Sequence, residues 1–408
     1  MTPTEHGSRL QTMILVTVVL AGIALLSGLL GGCSESTPPA TPTPTRTPPP
    51  APAQSTATPV QEPTTTPPPT ATPSPTPIPS PTPWPENVNP LTGETVEDES
   101  ELDRVPVAIK ISNWPGQYVR PQAGINSADL IYEHYNEGWF ATRWTAVFLD
   151  QSPERVGPIR SGRIIDLEIP AMYNAVFANS GFSNGVVRLF RNSDLYPDQV
   201  VSDSLPETIQ PRPFFRDHSR NVPLEHTMYT SPELVRKWAS ARGVEGRREL
   251  EGMTFSEELP QDVDAAGSGN LVRIPWNRLD AEWRYDEESE QYLRWTDGAA
   301  HVDALSGEQL RAANVVLLYV PQWNTDIVED PHSGALSIRW ALWNKDNPHR
   351  PATLLRDGRR YDGIWNREER DDMLTLLDEE GNPLPFKVGS TFFEVLPQGD
   401  RAIEVTVE

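Results

Sequence analysis

Twenty of the 48 residues from Pro38 to Pro85 are proline, and this stretch sets the first limit on what the chain can fold into. Each proline removes a backbone donor and fixes φ, so no helix or central strand can run through it. Only Arg46 and Glu62 carry charge there, and apolar side chains are scarce. Burial cannot offset the entropy of ordering such a segment. The Thr-Pro repeats Thr41–Pro50 and Thr72–Pro83 read instead as a disordered Pro/Thr-rich stalk with polyproline character. At about 3.1 Å per residue it would reach roughly 150 Å, enough to hold a domain within or beyond a cell wall.

The stalk follows an address. Met13–Leu30 is an uncharged apolar run of 18 residues, preceded by Arg9 and followed by Gly31-Gly32-Cys33, the layout of a secretory signal. Leu30-Gly31-Gly32-Cys33 resembles the lipobox of bacterial lipoproteins, with Gly31 where Ala or Ser is commoner. The resemblance implies removal of a signal peptide at residues 1–32 and lipidation of Cys33, which would open a linker at residues 33–88. The protein would then sit lipid-anchored on the extracytoplasmic face of the cell membrane. An uncleaved apolar anchor is the alternative reading of the same run. Cys33 is the single cysteine of 408 residues, so no intramolecular disulfide and no multi-cysteine metal site is available.

Residues 86–408, 323 in all, are long enough for about two ordinary domains. They carry 32 Lys and Arg against 54 Asp and Glu, a net −22. That balance repels nucleic acid and anionic headgroups, so no nucleic-acid partner is expected. Alternation in Val105–Ser112 marks a strand, with Val107, Ile109 and Ile111 on one face and Ala108, Lys110 and Ser112 on the other. Asp129–Glu133, Trp144–Leu149 and Ala175–Ala178 are further strands. Ser231-Pro232 opens a helix that Gly243 stops, and Gly162–Met172 is a shorter helix candidate. Residues 246–269 form an acidic, glycine-containing connector. Beyond it the pattern is mostly β: Leu271–Ile274, Ala281–Tyr285, Tyr292–Trp295, Val315–Val320, Ala335–Trp343, Thr391–Leu396 and Ile403–Val407. The expected class is α+β, with two mixed α/β or β-rich domains at 89–245 and 270–408.

A run of short motifs occurs in order: Asn89-Pro90-Leu91-Thr92-Gly93, Arg120-Pro121-Gln122-Ala123-Gly124, Ala128-Asp129-Leu130-Ile131-Tyr132-Glu133, Glu137-Gly138, Thr142-Arg143 and Gly157–Arg163. Trp283-Arg284-Tyr285-Asp286, His301-Val302-Asp303, Gly363-Ile364-Trp365 and Gly389-Ser390-Thr391-Phe392-Phe393 follow. Together they resemble the YerB-like lipoproteins, a bacterial family of unknown function, with residues 89–229 similar to the family's amino-terminal domain and residues 271–398 to its carboxy-terminal domain. The resemblance implies a two-domain extracytoplasmic lipoprotein and no known activity. Where the family has a histidine followed by Gly-Gly-Ser, this chain has Asn179-Ser180-Gly181-Phe182-Ser183. A late Trp-Lys becomes Trp365-Asn366-Arg367.

The chemistry must therefore be read from residues. Residues 155–220 hold eight arginines against seven acids, near +1 inside an acidic chain. Arg160, Ser161 and Arg163 follow the Gly157-Pro158 turn, and two guanidinium forks with a hydroxyl suit a carboxylate or phosphate. Arg143, Glu133 and Glu137 complete the candidate ligand site. The alternative is internal pairing of these arginines with Glu133, Glu137 or Asp166. Asp217-His218 and Glu225-His226 lack a common zinc spacing, so no metal and no cofactor is expected. None of Ser161, Ser180, Ser183 or Ser219 lies in a nucleophile elbow. Eleven of twelve tryptophans lie in the folded part, where they suit strand cores or stacking on sugars and peptides. The expectation is a binding protein for an envelope ligand or protein partner rather than an enzyme. Its alternative is an envelope glycan hydrolase using acidic residues such as Glu133 and Glu137.

Overall fold

A computed structural model describes residues 85–260 and 263–408. The signal run, the lipobox with Cys33 and the proline-rich stalk lie outside the described residues. Among the described residues no helix is long and apolar enough to cross a membrane.

The architecture is α+β and rich in strands. Its frame is an 11-stranded mixed sheet. From one edge its strands run Thr375–Leu377, Arg359–Asn366, Pro351–Arg356, Asn314–Val320, Thr391–Pro397, Leu130–Tyr135, Thr142–Phe148, Val107–Ser112, Val176–Asn179 and Val200–Ser202. Gly267–Ser268 pairs beside Arg359–Asn366. Strands from before and after the acidic connector meet at the centre, where Leu130–Glu133 pair in parallel with Thr391–Glu394. The connector is tied down: Leu250 and Met253 are buried, and Ser256 N donates to the Phe386 carbonyl at 2.9 Å.

A second, six-stranded sheet includes Leu271–Trp276, Leu279–Asp286 and Gln291–Thr296. Trp283 packs its ring 4.8 Å from Phe392 of the large sheet. A separate two-stranded hairpin, Gln322–Asp330 with Ala335–Trp340, reaches from the second half of the chain over the first.

Covering on both faces explains the main departure from the alternating pattern. All six residues of Val107–Ser112 are buried, including Lys110, because this strand lies inside the sheet, between Thr142–Phe148 and Val176–Asn179. The helix Pro232–Ser240 forms where its signals place it, with Ser231 Oγ accepting from Leu234 N at 3.2 Å. Gly162–Met172 is not one helix. It divides into a 3-10 turn, Ile164–Leu167, and one α-turn, Ile169–Met172. Pro170 has no N–H to continue a longer helix.

Candidate functional site

The Gly157–Gly162 turn is a wedge. Val107–Ile109 pair in parallel with Val176–Ala178, and beyond that the strands separate and the turn enters between them. Arg160 N donates to the Lys110 carbonyl at 3.0 Å, Ser180 N to the Arg160 carbonyl at 3.0 Å, and Gly162 N to the Gly181 carbonyl at 2.9 Å. The wedge thus occupies the carboxyl ends of parallel strands, the place where open α/β sheets accept ligands.

The six candidate side chains fall into three groups. Glu137 holds Arg163 in a bidentate fork, with both contacts at 2.6 Å, and also accepts from Arg143 at 3.4 Å. Glu329, from the overlying hairpin, lies 3.8 Å from Arg163. Burial pushes the Glu137 carboxyl up, but the guanidiniums of Arg143 and Arg163 outweigh it and hold the group well below the usual carboxylate range. Burial and the neighbouring Arg163 lower Arg143 to about 9. Arg143 also donates to the Ser161 carbonyl at 2.8 Å. These two arginines are therefore closed off by internal pairing.

Arg160 differs. Among the described residues its side chain donates once, from Nη1 to the Glu225 carbonyl at 3.1 Å, and stays partly exposed with Ser161 beside it. Next to the wedge is Asn179, fully buried, with its Oδ1 accepting from Gly181 N and Ser202 Oγ, both at 2.9 Å. Its Nδ2 has no partner among the described residues, an orphan donor that costs free energy unless something accepts from it.

Glu133 belongs elsewhere. His134 opposes Arg143 across the strand pair while Glu133 opposes Trp144, so Glu133 projects from the other face of the sheet. There it meets Arg294 at 2.6 Å, which also reaches Glu394 at 3.0 Å, all three fully buried. Asn113 and Thr142 donate to Glu133, and Trp283 to Glu394. Burial and the charge of Glu133 push the Glu394 carboxyl up to about 8. Glu133 and Glu137 therefore do not form a pair.

Beneath the arginines lies a set that sequence spacing gave no means of assembling. Lys110 Nζ donates to Asp166 at 2.8 Å, Thr145 at 2.8 Å and His134 Nε2 at 2.6 Å. The His134 Nδ1 is directed to the Tyr135 carbonyl at 2.8 Å, which fits the neutral tautomer with its proton on Nδ1. Burial lowers Lys110 to about 8, and burial with the Lys110 charge holds His134 well below its ordinary value.

The loop that supplies Glu137 also borders a second feature. Gly138 and Trp139 both have positive φ, +66° and +59°, and for a bulky tryptophan that conformation costs on the order of 1–3 kcal/mol. The indole Nε1 donates to Asn324 Oδ1 at 2.9 Å. Trp139 thereby lines a cleft of about 470 Å³ with Gln322, Trp323, Asp400 and Arg401.

The Asp217–His226 candidates do not converge. Asp217 pairs with Arg155 at 3.0 Å, while His226 stacks on Tyr118 at 5.4 Å. Among the described residues no group of three or more His, Cys, Asp or Glu side chains is placed to hold a metal ion.

Comparison with known proteins is consistent along the described part of the chain. The model described as "Protein of unknown function (DUF3048) N-terminal domain" matches residues 91–245, and the corresponding C-terminal domain matches residues 272–393. The chain is 26% identical over 319 residues to "Putative lipoprotein YerB" of Bacillus subtilis (strain 168), covering 77% of this chain and 87% of that one. Its fold is similar to the crystal structure of the YerB protein from Bacillus subtilis, with a TM-score of 0.62 and 24% identity, over 78% of this chain and 99% of that one.

Proposed function

Starting from a chain that belongs to the DUF3048 family and is related to YerB, we propose that it is a lipid-anchored extracytoplasmic binding protein whose envelope ligand docks at the Gly157–Gly162 wedge. Cys33 is the attachment point in this reading, and the stalk carries the folded part away from the membrane.

One observation carries the site: of the three arginines in the cluster, Arg160 alone keeps most of its guanidinium uncommitted. It does so at the carboxyl ends of parallel strands. A guanidinium and the Ser161 hydroxyl suit a ligand with a carboxylate or phosphate group. Arg143 and Arg163 already share Glu137, so their role is to fix the wedge.

The test is affinity capture from native envelope fractions with the wild-type chain and with Arg160→Ala. The expected result is loss of the captured ligand or partner in the variant. Identical captured sets would overturn the assignment.

A further inference from the structure

The cleft beside Trp139 is a separate feature of the surface. It is built by three segments: the loop Asn136–Phe140, the start of the hairpin at Pro321–Asn324, and the turn Gly399–Arg401. Its chemistry is specific. Trp323 is 47% exposed, an indole left in water at the mouth of a cavity of about 470 Å³. Trp139 is locked by its bond to Asn324, and the Arg401 guanidinium lies 5.4 Å from its ring centre. The floor is braced: Gln322 Nε2 donates to the Gln398 carbonyl and Gln398 N donates to Gln322 Oε1, each at 2.9 Å. A rigid cleft of this kind loses little entropy on taking a ligand.

The polar groups narrow the occupant. Asp400 and Arg401 are both exposed and opposite in charge, so the cleft has no surplus cation to attract a polyanion. Asp400 accepts only, and a ligand facing it must donate. A proline-rich segment, such as this chain's own stalk, lacks N–H groups at each proline, so its donors are confined to the hydroxyl and N–H groups of the intervening Thr and Ser. A pyranose ring supplies both requirements: an apolar C–H face that lies against an indole, and a rim of hydroxyls that donate to a carboxylate and accept from a guanidinium or amide.

We infer that this cleft binds an uncharged glycan, with a pyranose face on the exposed Trp323 and hydroxyls on Asp400, Arg401 and Asn324. The glycan site is independent of the anion site at Arg160.

The experiment titrates the full chain, in detergent micelles, with N-acetylglucosamine tetramer and with cellotetraose, followed by calorimetry and indole fluorescence. A synthetic peptide of residues 63–83 forms the second arm. Saccharide binding is expected, weakened at least about tenfold by Trp323→Ala and about threefold or less by Trp323→Phe, which keeps an aromatic face. Circular dichroism of both variants confirms folding. Inorganic phosphate is expected not to compete, so failure of either site leaves the other's test intact. Absence of binding to both saccharides, unchanged affinity in Trp323→Ala, or binding of the peptide alone would overturn the inference.

Discussion

One short loop, Asn136–Phe140, borders two regions of opposite character. On one side Glu137 fills the fork of Arg163 and reaches Arg143, so two cations are consumed inside the protein. On the other side Trp139 and Trp323 line a cleft that none of the described residues fills. The difference shows that a concentration of one residue type is not itself a site. What matters is how much bonding capacity the fold leaves over. By that measure Arg160 and the tryptophan cleft are available, while Arg143, Arg163 and Glu133 are structural.

The sharpest way to break the comparison is Glu137→Ala. If Glu137 is the internal counter-ion, its removal leaves two buried guanidiniums without their shared carboxylate, a cost of about 3 kcal/mol. Chemical denaturation would measure it. A loss below about 0.5 kcal/mol would mean that the arginines are not closed off and that this side of the loop is open after all.

A smaller effect extends the comparison to the other face of the sheet. Glu394 keeps its proton in the folded state up to about pH 8, against an ordinary value of 4.5. The unfolded chain releases that proton first, so this group's contribution to stability falls as pH rises between about 4.5 and 8. Glu394→Gln should flatten that decline over the window. Lys110 has the opposite sign: lowered from 10.5 to about 8, it makes stability rise with pH between those values. Stability curves of wild type and Glu394→Gln that run parallel from pH 4.5 to 8 would show that the buried trio does not titrate as described.

Much of the frame was legible from local chemistry. Ser231-Pro232 predicted a cap and a first turn, and alternation located most of the central strands because apolar residues at period two demand a covered face. The hairpin Pro351–Asn366 was not anticipated, although Asp357-Gly358, with φ of +54° and +68°, is the dipeptide that such a two-residue turn favours. The site was less legible for a different reason. Arg294 lies 161 positions from Glu133, and Lys110 lies 56 from Asp166, and no spacing rule connects residues so far apart. Glu133 looked like a neighbour of the arginine turn by sequence, yet strand alternation turns it to the opposite face. Trp139 gave no signal, since a tryptophan with positive φ is a local exception imposed by its surroundings.

The most direct measurement of the central claim is a nuclear magnetic resonance titration of the full chain with inorganic phosphate, observing the arginine guanidinium resonances. That of Arg160 should shift in a saturable way, while those of Arg143 and Arg163 stay fixed. Arg160→Ala should abolish phosphate binding while altering stability by about 1 kcal/mol, because among the described residues its guanidinium makes one hydrogen bond. A titration that moves Arg143 and Arg163 instead, or leaves Arg160 unmoved, would contradict the placement of the ligand at the wedge.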